Sequence, residues 1–179
     1  MKTGPIIYGL LAEFADPEKV LAAARQAHQE GYRCLDAYSP FPVEGLAEAL
    51  GRKPTVVPRI VLLGGLCGGL GGYFMQWYAM VLDYPINVGG RPFHSWPTFV
   101  PITFELTILA AAISAIVSML ALNRLPQPHH SVFNVPEFAR ASTDRFFLCV
   151  ESSDPRFDPV TTKEFLEALK PISLREVPL

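Results

Sequence analysis

The sequence predicts an α+β domain that is interrupted by a two-helix transmembrane hairpin. Between Arg59 and Asp83 lie 23 residues without a charge, enough to cross a hydrocarbon layer of about 30 Å at ~1.5 Å per residue. A second apolar run extends from about Pro97 to Leu122 and carries a single charge, Glu105. On both sides of this pair, short apolar runs alternate with helix patterns, which is typical of α/β structure. The charged fraction of 18% and the mean hydropathy of +0.25 also favour a membrane protein.

The residues before the hairpin predict a β-α-β unit. An apolar run over residues 6–14 is the first strand. Asp16, followed by a proline, caps and starts a helix that Gly31 ends, because proline suits the first turn and glycine the end of a helix. Residues 32–38 predict a second strand, and residues 43–51 predict a short helix that leads to the membrane.

The residues after the hairpin predict a second β-α-β unit. A loop over residues 125–138 is followed by a strand over residues 145–151. Asp158, again followed by a proline, starts a helix over residues 158–169, and residues 172–178 predict the last strand.

Two β-α-β units together predict a ferredoxin-like fold, with helices on one face of a four-stranded antiparallel sheet. Each unit alone has too little core, so we expect residues 1–50 and 129–179 to fold as one domain. The alternative is two small lobes docked on a partner. The predicted organisation is a cytoplasmic half over 1–58, a transmembrane helix over 59–83, a periplasmic loop over 84–96, a second transmembrane helix over 97–123 and a second cytoplasmic half over 124–179.

The flanking cations predict the orientation of the hairpin. Three precede the first span, Arg124 follows the second, and the connecting loop carries only Arg91. Cations concentrate on the cytoplasmic side, so both termini are expected there. Aromatic side chains near the outer end of the hairpin suit a membrane interface. The apolar run at the N-terminus is too short for a convincing signal peptide.

The run GGLCGGLGG at residues 64–72 allows two interpretations, a phosphate-binding loop or a helix-packing face. No lysine follows it as a Walker A loop requires, and Phe74 stands where the third Rossmann glycine would be. The run does contain three overlapping G-x-x-x-G pairs, which let membrane helices approach closely. The predicted packing residues are Gly64, Gly65, Gly68, Gly69 and Gly72. They face either the small residues 110–115 of the second span or a helix of another protein.

Two further residues are candidates for function in the hairpin. Glu105 is an acid within a span, which is costly and often functional. It is a candidate for a proton path, a quinone contact or a bond to a partner. His94, in the connecting loop, is a candidate contact of the same kind, although a lone histidine is more often a hydrogen-bonding residue.

Elsewhere the sequence predicts no catalytic, cofactor-binding or metal-binding residues. His129 and His130 are adjacent in a loop, where their side chains point apart, so a shared metal is not expected. Asp154 and Asp158 each precede a proline and predict turn and N-cap roles. The three cysteines are scattered, and no C-x-x-C or C-x-x-C-H motif indicates a zinc, cluster or haem c site.

Several stretches of the chain together resemble the ActD family, a two-span membrane component of bacterial alternative complex III, which is a quinol:electron-acceptor oxidoreductase. The resemblance covers essentially the whole chain, and it rests on the order and spacing of its motifs around one hairpin. These are YGLLAEF (8–14), DAYSPFPVEGL (36–46), the glycine-rich first span, YPINVGGRPFHSWPTFVPITFE (84–105), HHSVFN (129–134) and DRFFLCVESSDPRFD (144–158).

The resemblance implies a non-catalytic structural subunit in the bacterial inner membrane, packed against larger multi-span subunits. It implies that haem c and iron–sulfur clusters belong to partner subunits, that a partner handles quinol, and that this chain binds no cofactor. Two alternatives stay open. Glu105 contributes to a proton path or quinone pocket, or the chain is a stand-alone membrane-anchored regulator with a ferredoxin-like domain.

Overall fold

The computed structural model describes residues 7–179. They divide into two compact units. One unit contains the described residues up to Lys53 together with Pro128–Leu179, and the other contains Pro54–Gln127. The predicted start of the first strand at Ile6 lies outside the described residues.

A four-stranded antiparallel sheet forms the centre of the first unit. Its strands β1 to β4 lie in the order β2-β3-β1-β4. Ala12 of β1 lies opposite Leu148 of β3 on one side and opposite Leu174 of β4 on the other. Residues from before and after the hairpin therefore share one sheet. The strands span Ile7–Phe14, Leu35–Tyr38, Phe146–Glu151 and Ser173–Pro178.

Five α-helices, α1 to α5, lie in the described part of the chain. The predicted side-chain cap at the start of α1 is wrong. Asp16 occupies the N-cap position without a capping hydrogen bond, and its carboxylate instead pairs with Lys19 at 3.0 Å. Asp158 does cap α5, accepting hydrogen bonds of 3.0 Å from the backbone N–H of Val160 and of Thr161. The helices span Pro17–Gln29, Leu46–Ala49, Val57–Trp77, Trp96–Leu122 and Pro159–Ala168.

The second strand is shorter than the predicted residues 32–38. The strand begins only at Leu35, because the backbone N–H groups of Arg33 and Cys34 donate to the carboxylate of Asp154 at 2.5 and 2.7 Å instead of to a neighbouring strand. The short helix predicted over residues 43–51 is also trimmed, since Gly45 adopts a left-handed φ of 77° before it.

Both faces of the sheet are covered. Leu10, Ala12 and Phe14 pack in a core with Val20 of α1 and Leu166 of α5. The residues of the opposite face pack against two 3₁₀ turns, Ser131–Asn134 and Pro136–Ser142.

The prediction of a plain loop over residues 125–138 is therefore wrong for its second part. Val132, Val135, Phe138 and Ala141 recur every three residues and are all buried. That spacing matches a 3₁₀ helix, in which side chains three residues apart share one side.

The second unit is a pair of long apolar helices. Helix α3 continues as a π-helical segment, Tyr78–Asp83, and α4 follows after the connecting loop. By length and composition, both are able to cross a membrane. Helix α3 begins two residues before the predicted Arg59, because Pro58 suits the first turn, where a backbone N–H has no partner within the helix.

Candidate functional site

The glycine run lies on the side of α3 that meets α4. A methyl group built on Gly68 would lie 2.5 Å from Cβ of Ala110 and 2.5 Å from the carbonyl oxygen of Leu106. A methyl group on Gly72 would lie 2.7 Å from Cδ1 of Leu106. These separations are far inside the ~3.5–4.0 Å of ordinary carbon contacts. At these two positions, only a residue without Cβ allows the two backbones to approach so closely.

Two further glycines extend the same contact toward the start of α3. A methyl group on Gly64 would lie 2.7 Å from Cβ of Ser114. A methyl group on Gly65 would lie 3.5 Å from Cβ of Ala111, which is an ordinary contact. The small residues of α4, which the sequence indicated as one possible partner of the glycine run, therefore lie against it.

Gly69 and Gly71 show how this contact is limited to one side of the helix. A methyl group on Gly69 would lie 2.7 Å from Oγ1 of Thr107, whereas one on Gly71 would meet nothing in the described residues within 4 Å. All five of the predicted packing glycines meet α4, and Gly71 provides an internal comparison that does not.

Gln76, which the sequence did not lead us to expect as a site residue, joins the two helices through hydrogen bonds. Its side chain is 8% exposed. Its amide nitrogen lies 3.1 Å from the carbonyl oxygen of Gly72, 3.2 Å from that of Phe99 and 3.1 Å from Oγ1 of Thr103. One feature of the sequence could have indicated this residue, since Gln76 is the one amide side chain among the 23 uncharged residues. Because an amide is uncharged, the charge pattern does not indicate it.

His94 packs against residues of both helices. Its Nε2 lies 2.7 Å from Oη of Tyr73, and its ring centroid lies 6.0 Å from that of Phe99. Tyr73 and Phe99 are themselves in edge-to-face contact at 5.7 Å. The histidine thus connects the loop to the hairpin through hydrogen bonding and ring packing.

Glu105 lies on a different side of α4 from the residues that contact α3. Its neighbour Leu106 faces the glycines, whereas Glu105 itself is exposed. Within residues 7–179 its carboxylate has no hydrogen-bond or ion-pair partner. In the structure His94 contacts Tyr73, whereas Glu105 contacts neither of these two residues.

A groove of about 560 Å³ runs along one side of the hairpin. Its lining includes Gly65, Gly69, Tyr73, Thr103 and Thr107. The hydroxyl of Thr107 donates to the carbonyl oxygen of Thr103 at 2.7 Å. The groove is a largely apolar surface with a few hydroxyl groups.

A cluster of polar side chains joins residues of β1, β2 and β3. The hydroxyl of Tyr8 donates to Oε1 of Glu151 at 3.2 Å and lies 3.3 Å from Nε2 of His130. Asp36 forms an ion pair with Arg52. Burial raises the pKa of Asp36, and the neighbouring Glu151 carboxylate adds to this effect, while Arg52 opposes it.

The nucleophilic side chains in and near this cluster are not activated. Burial raises the pKa of Cys149 to about 12, with Asp36 and Glu151 adding to the shift. Burial also raises the pKa of Tyr8 and of Tyr38. Because the thiolate is the nucleophilic form of cysteine, a thiol with this pKa is inert at neutral pH.

The two adjacent histidines have separate partners. His129 Nε2 lies 3.1 Å from Oδ1 of Asn134, whereas His130 contacts Tyr8. Among the described residues, no group of three or more His, Cys, Asp or Glu side chains is placed to hold a metal ion.

Asp154 organises a turn, as the sequence predicts. Its carboxylate accepts hydrogen bonds from the backbone N–H groups of Arg33, Cys34 and Arg156 at 2.5, 2.7 and 2.8 Å. Burial acts to raise its pKa, but these donors outweigh burial and lower it. The predicted turn role of Asp154 and N-cap role of Asp158 are both confirmed.

Comparison with known proteins identifies one matching family. The family model described as "Alternative complex III, ActD subunit" matches residues 8–176. No curated protein matches the chain.

Proposed function

The chain belongs to the ActD family of alternative complex III, and from this premise we propose that it is a structural membrane subunit without catalytic residues of its own. Other subunits of the complex are therefore its partners. The finer role is an inference from the hairpin, whose two helices are closely packed and otherwise exposed.

The observation that carries the proposal is the fit of the glycines against α4. A methyl group would overlap neighbouring atoms at Gly64, Gly68, Gly69 and Gly72. In lipid there is no hydrophobic drive between helices, so close backbone packing and hydrogen bonds supply the attraction. The hairpin thus forms a preassembled pair that presents its outer sides to larger helical subunits. Since α4 occupies the glycine side, partners would use the remaining sides.

We further propose that both helices span the bacterial inner membrane with the termini in the cytoplasm. The support is the distribution of cations, with Arg52, Lys53 and Arg59 before α3 or at its start, Arg124 after α4 and Arg91 alone in the loop. Short loops rich in Lys and Arg remain cytoplasmic. The sheet domain would then cap the complex on the cytoplasmic side.

The sheet domain is proposed to be ferredoxin-like. Strand order β2-β3-β1-β4, with all neighbouring pairs antiparallel, supports this assignment. So do the helices between β1 and β2 and between β3 and β4. The 3₁₀ turns on the second face would be an addition to that fold.

We propose that this chain binds no cofactor and that partner subunits carry haem c and iron–sulfur clusters and handle quinol. The support is the sequence itself, in which the cysteines are not arranged as cluster or haem ligands. The electron-transfer chemistry would then belong to the complex as a whole.

Replacement of Gly68 by leucine tests the proposal in the intact complex. A leucine side chain at this position must displace α4, so we expect less of the complex to survive extraction in mild detergent. Gly71→Leu is the matched control for the hairpin in the isolated chain, because a side chain there meets nothing in the described residues within 4 Å. In the isolated chain, only Gly68→Leu should weaken the packing of the two helices. Unchanged complex yield and quinol oxidation for Gly68→Leu would refute the packing role.

Two other hypotheses predict different outcomes. If Glu105 contributes to a proton path or quinone pocket, Glu105→Gln would assemble normally but lose quinol turnover or proton release. If the chain is a stand-alone regulator, it would purify alone as a stable, ligand-binding species. Membership of the ActD family favours a complex over this last alternative.

A further inference from the structure

Helix α4 has an outward face on the side away from α3. It consists of Ile102, Glu105, Leu109, Ala112 and Ile116, all of them exposed. These residues recur every three or four positions, so they share one side of the helix. The side of α4 that contacts the glycines contains Leu106, Ala110 and Ser114 instead.

Glu105 is the one titratable residue of this apolar helix between Trp96 and Leu122. In hydrocarbon, an acid is costly unless it pairs with another group or reaches water. It lies nine residues after Trp96, or about 13 Å along the helix axis. The long side chains of Lys and Arg reach the membrane surface from such positions, but a glutamate is shorter. An ionised Glu105 therefore needs a partner within the membrane.

The hairpin itself does not supply that partner. Its buried amide, Gln76, is directed to Phe99 and Thr103 between the helices. The hydroxyl of Thr107 is bonded to the carbonyl oxygen of Thr103. These groups lie where α3 and α4 meet, and Glu105 is directed elsewhere. Since the Glu105 carboxylate has no partner among residues 7–179, we look for the complementary group on another molecule.

We propose that the outward face of α4 binds a transmembrane helix of another subunit that presents a lysine or arginine side chain to Glu105. This inference rests on the proposed function as a subunit of a membrane complex. A basic side chain fits best because intramembrane charges of opposite sign pair with one another. Cationic lipid headgroups lie at the membrane surface rather than at this depth. The small Ala112, within the same face, lets a neighbouring helix approach.

The effect of Glu105→Leu on binding to the complex distinguishes a carboxylate that contacts a partner from one that faces lipid. The complex is extracted in mild detergent through a tag on another subunit, and the amount of this chain that co-purifies is measured. Glu105→Leu should lower its retention by about 3- to 20-fold, the range for a polar contact between membrane helices. Glu105→Lys should lower it further, because it places two cations together.

The control is Asp83→Asn, which removes one negative charge from the end of the same hairpin and should leave retention unchanged. Retention that is unchanged or higher in Glu105→Leu would overturn the proposal, because leucine is favoured where the side chain faces lipid. Normal retention with impaired quinol turnover would overturn it as well, in favour of a proton or quinone role.

A photo-reactive residue in place of Leu109 identifies the partner. Leu109 lies one turn from Glu105 on the outward face. In the purified complex, the cross-link should lead to a transmembrane segment with a Lys or Arg within one turn of the linked residue. Exchange of that residue for Glu should restore retention of Glu105→Lys. A link only to lipid, or to a segment without a basic residue, would contradict the proposal.

These experiments distinguish a wrong assignment of the chain to the complex from a wrong assignment of the outward face. If the unaltered chain does not co-purify with the complex, the proposed function itself is wrong. If the unaltered chain co-purifies and Glu105→Leu behaves in the same way, only the assignment of the outward face is wrong.

Discussion

Replacement of Gly68 by alanine should separate the two helices of the hairpin. The added Cβ would lie 2.5 Å from both Cβ of Ala110 and the carbonyl oxygen of Leu106. Ordinary contact requires ~3.5 Å or more, so the backbones must move apart by about 1 Å. Such a gap removes about a quarter to a half of the attraction of each contact along the interface. Overpacking of this kind typically costs about 1–3 kcal/mol.

Unfolding of the chain by sodium dodecyl sulfate in mixed micelles would measure this effect. The sequence has two tryptophans, Trp77 in α3 and Trp96 in α4, so tryptophan fluorescence reports on the hairpin. We expect Gly68→Ala to unfold at a lower detergent fraction, and Gly71→Ala to unfold like the unaltered chain. Equal midpoints for the two variants would refute the argument that α4 covers the glycine side.

Three other properties can be checked directly. Gln76→Leu should lower the same unfolding midpoint, at a cost of about 1–2 kcal/mol for hydrogen bonds between membrane helices; a midpoint that is unchanged or raised would mean that the amide does not join them. The lowered pKa of Asp154 means that its contribution to stability is present at neutral pH and is lost as the pH falls through that pKa. In Asp154→Ala, the Cys34 amide should therefore exchange hydrogen faster than in the unaltered full chain. This difference should become smaller in acid. Cys149, with its pKa raised to about 12, should resist alkylation at pH 8 until the protein is denatured, as measured by mass spectrometry. Modification of the folded protein at the rate of a free thiol would contradict the burial of Cys149.

Sequence patterns predicted the order of the elements because each carries a local signal. The alternation of apolar runs, the Asp-Pro pairs and the two apolar stretches indicate strands, helix starts and long helices without knowledge of the tertiary structure. Local signals do not determine the strand order, because it depends on the pairing of β1 with residues more than 130 positions away, such as Leu148.

Other features could not be predicted because they depend on competing partners. The shorter β2 results from hydrogen bonds of Arg33 and Cys34 to Asp154, which lies 121 residues beyond Arg33. Asp16 forms an ion pair with Lys19 and does not cap α1. In both cases the sequence pattern suggested an interaction that was physically reasonable, and the same groups form a different one.

The sequence predicted some residues of the candidate site and missed others. The four-residue spacing of glycines indicated a packing face, since that spacing places residues on one side of a helix. The sequence could not tell whether that face meets the second span or another protein. Gln76 was overlooked because it carries no charge, although an amide in an apolar span also needs hydrogen-bond partners.

Disulfide formation between Gly65→Cys and Ala111→Cys tests the central claim most directly. Cβ atoms at these positions would be 3.5 Å apart, within the ~3.5–4.5 Å that a disulfide requires. The measurement uses native membranes under mild oxidation, with Cys67 replaced by serine. Efficient cross-linking within one chain is predicted, and the pair Gly71→Cys and Ala111→Cys should not react. Cross-linking that is absent from the first pair, or equal in both, would contradict a hairpin closed through its glycines.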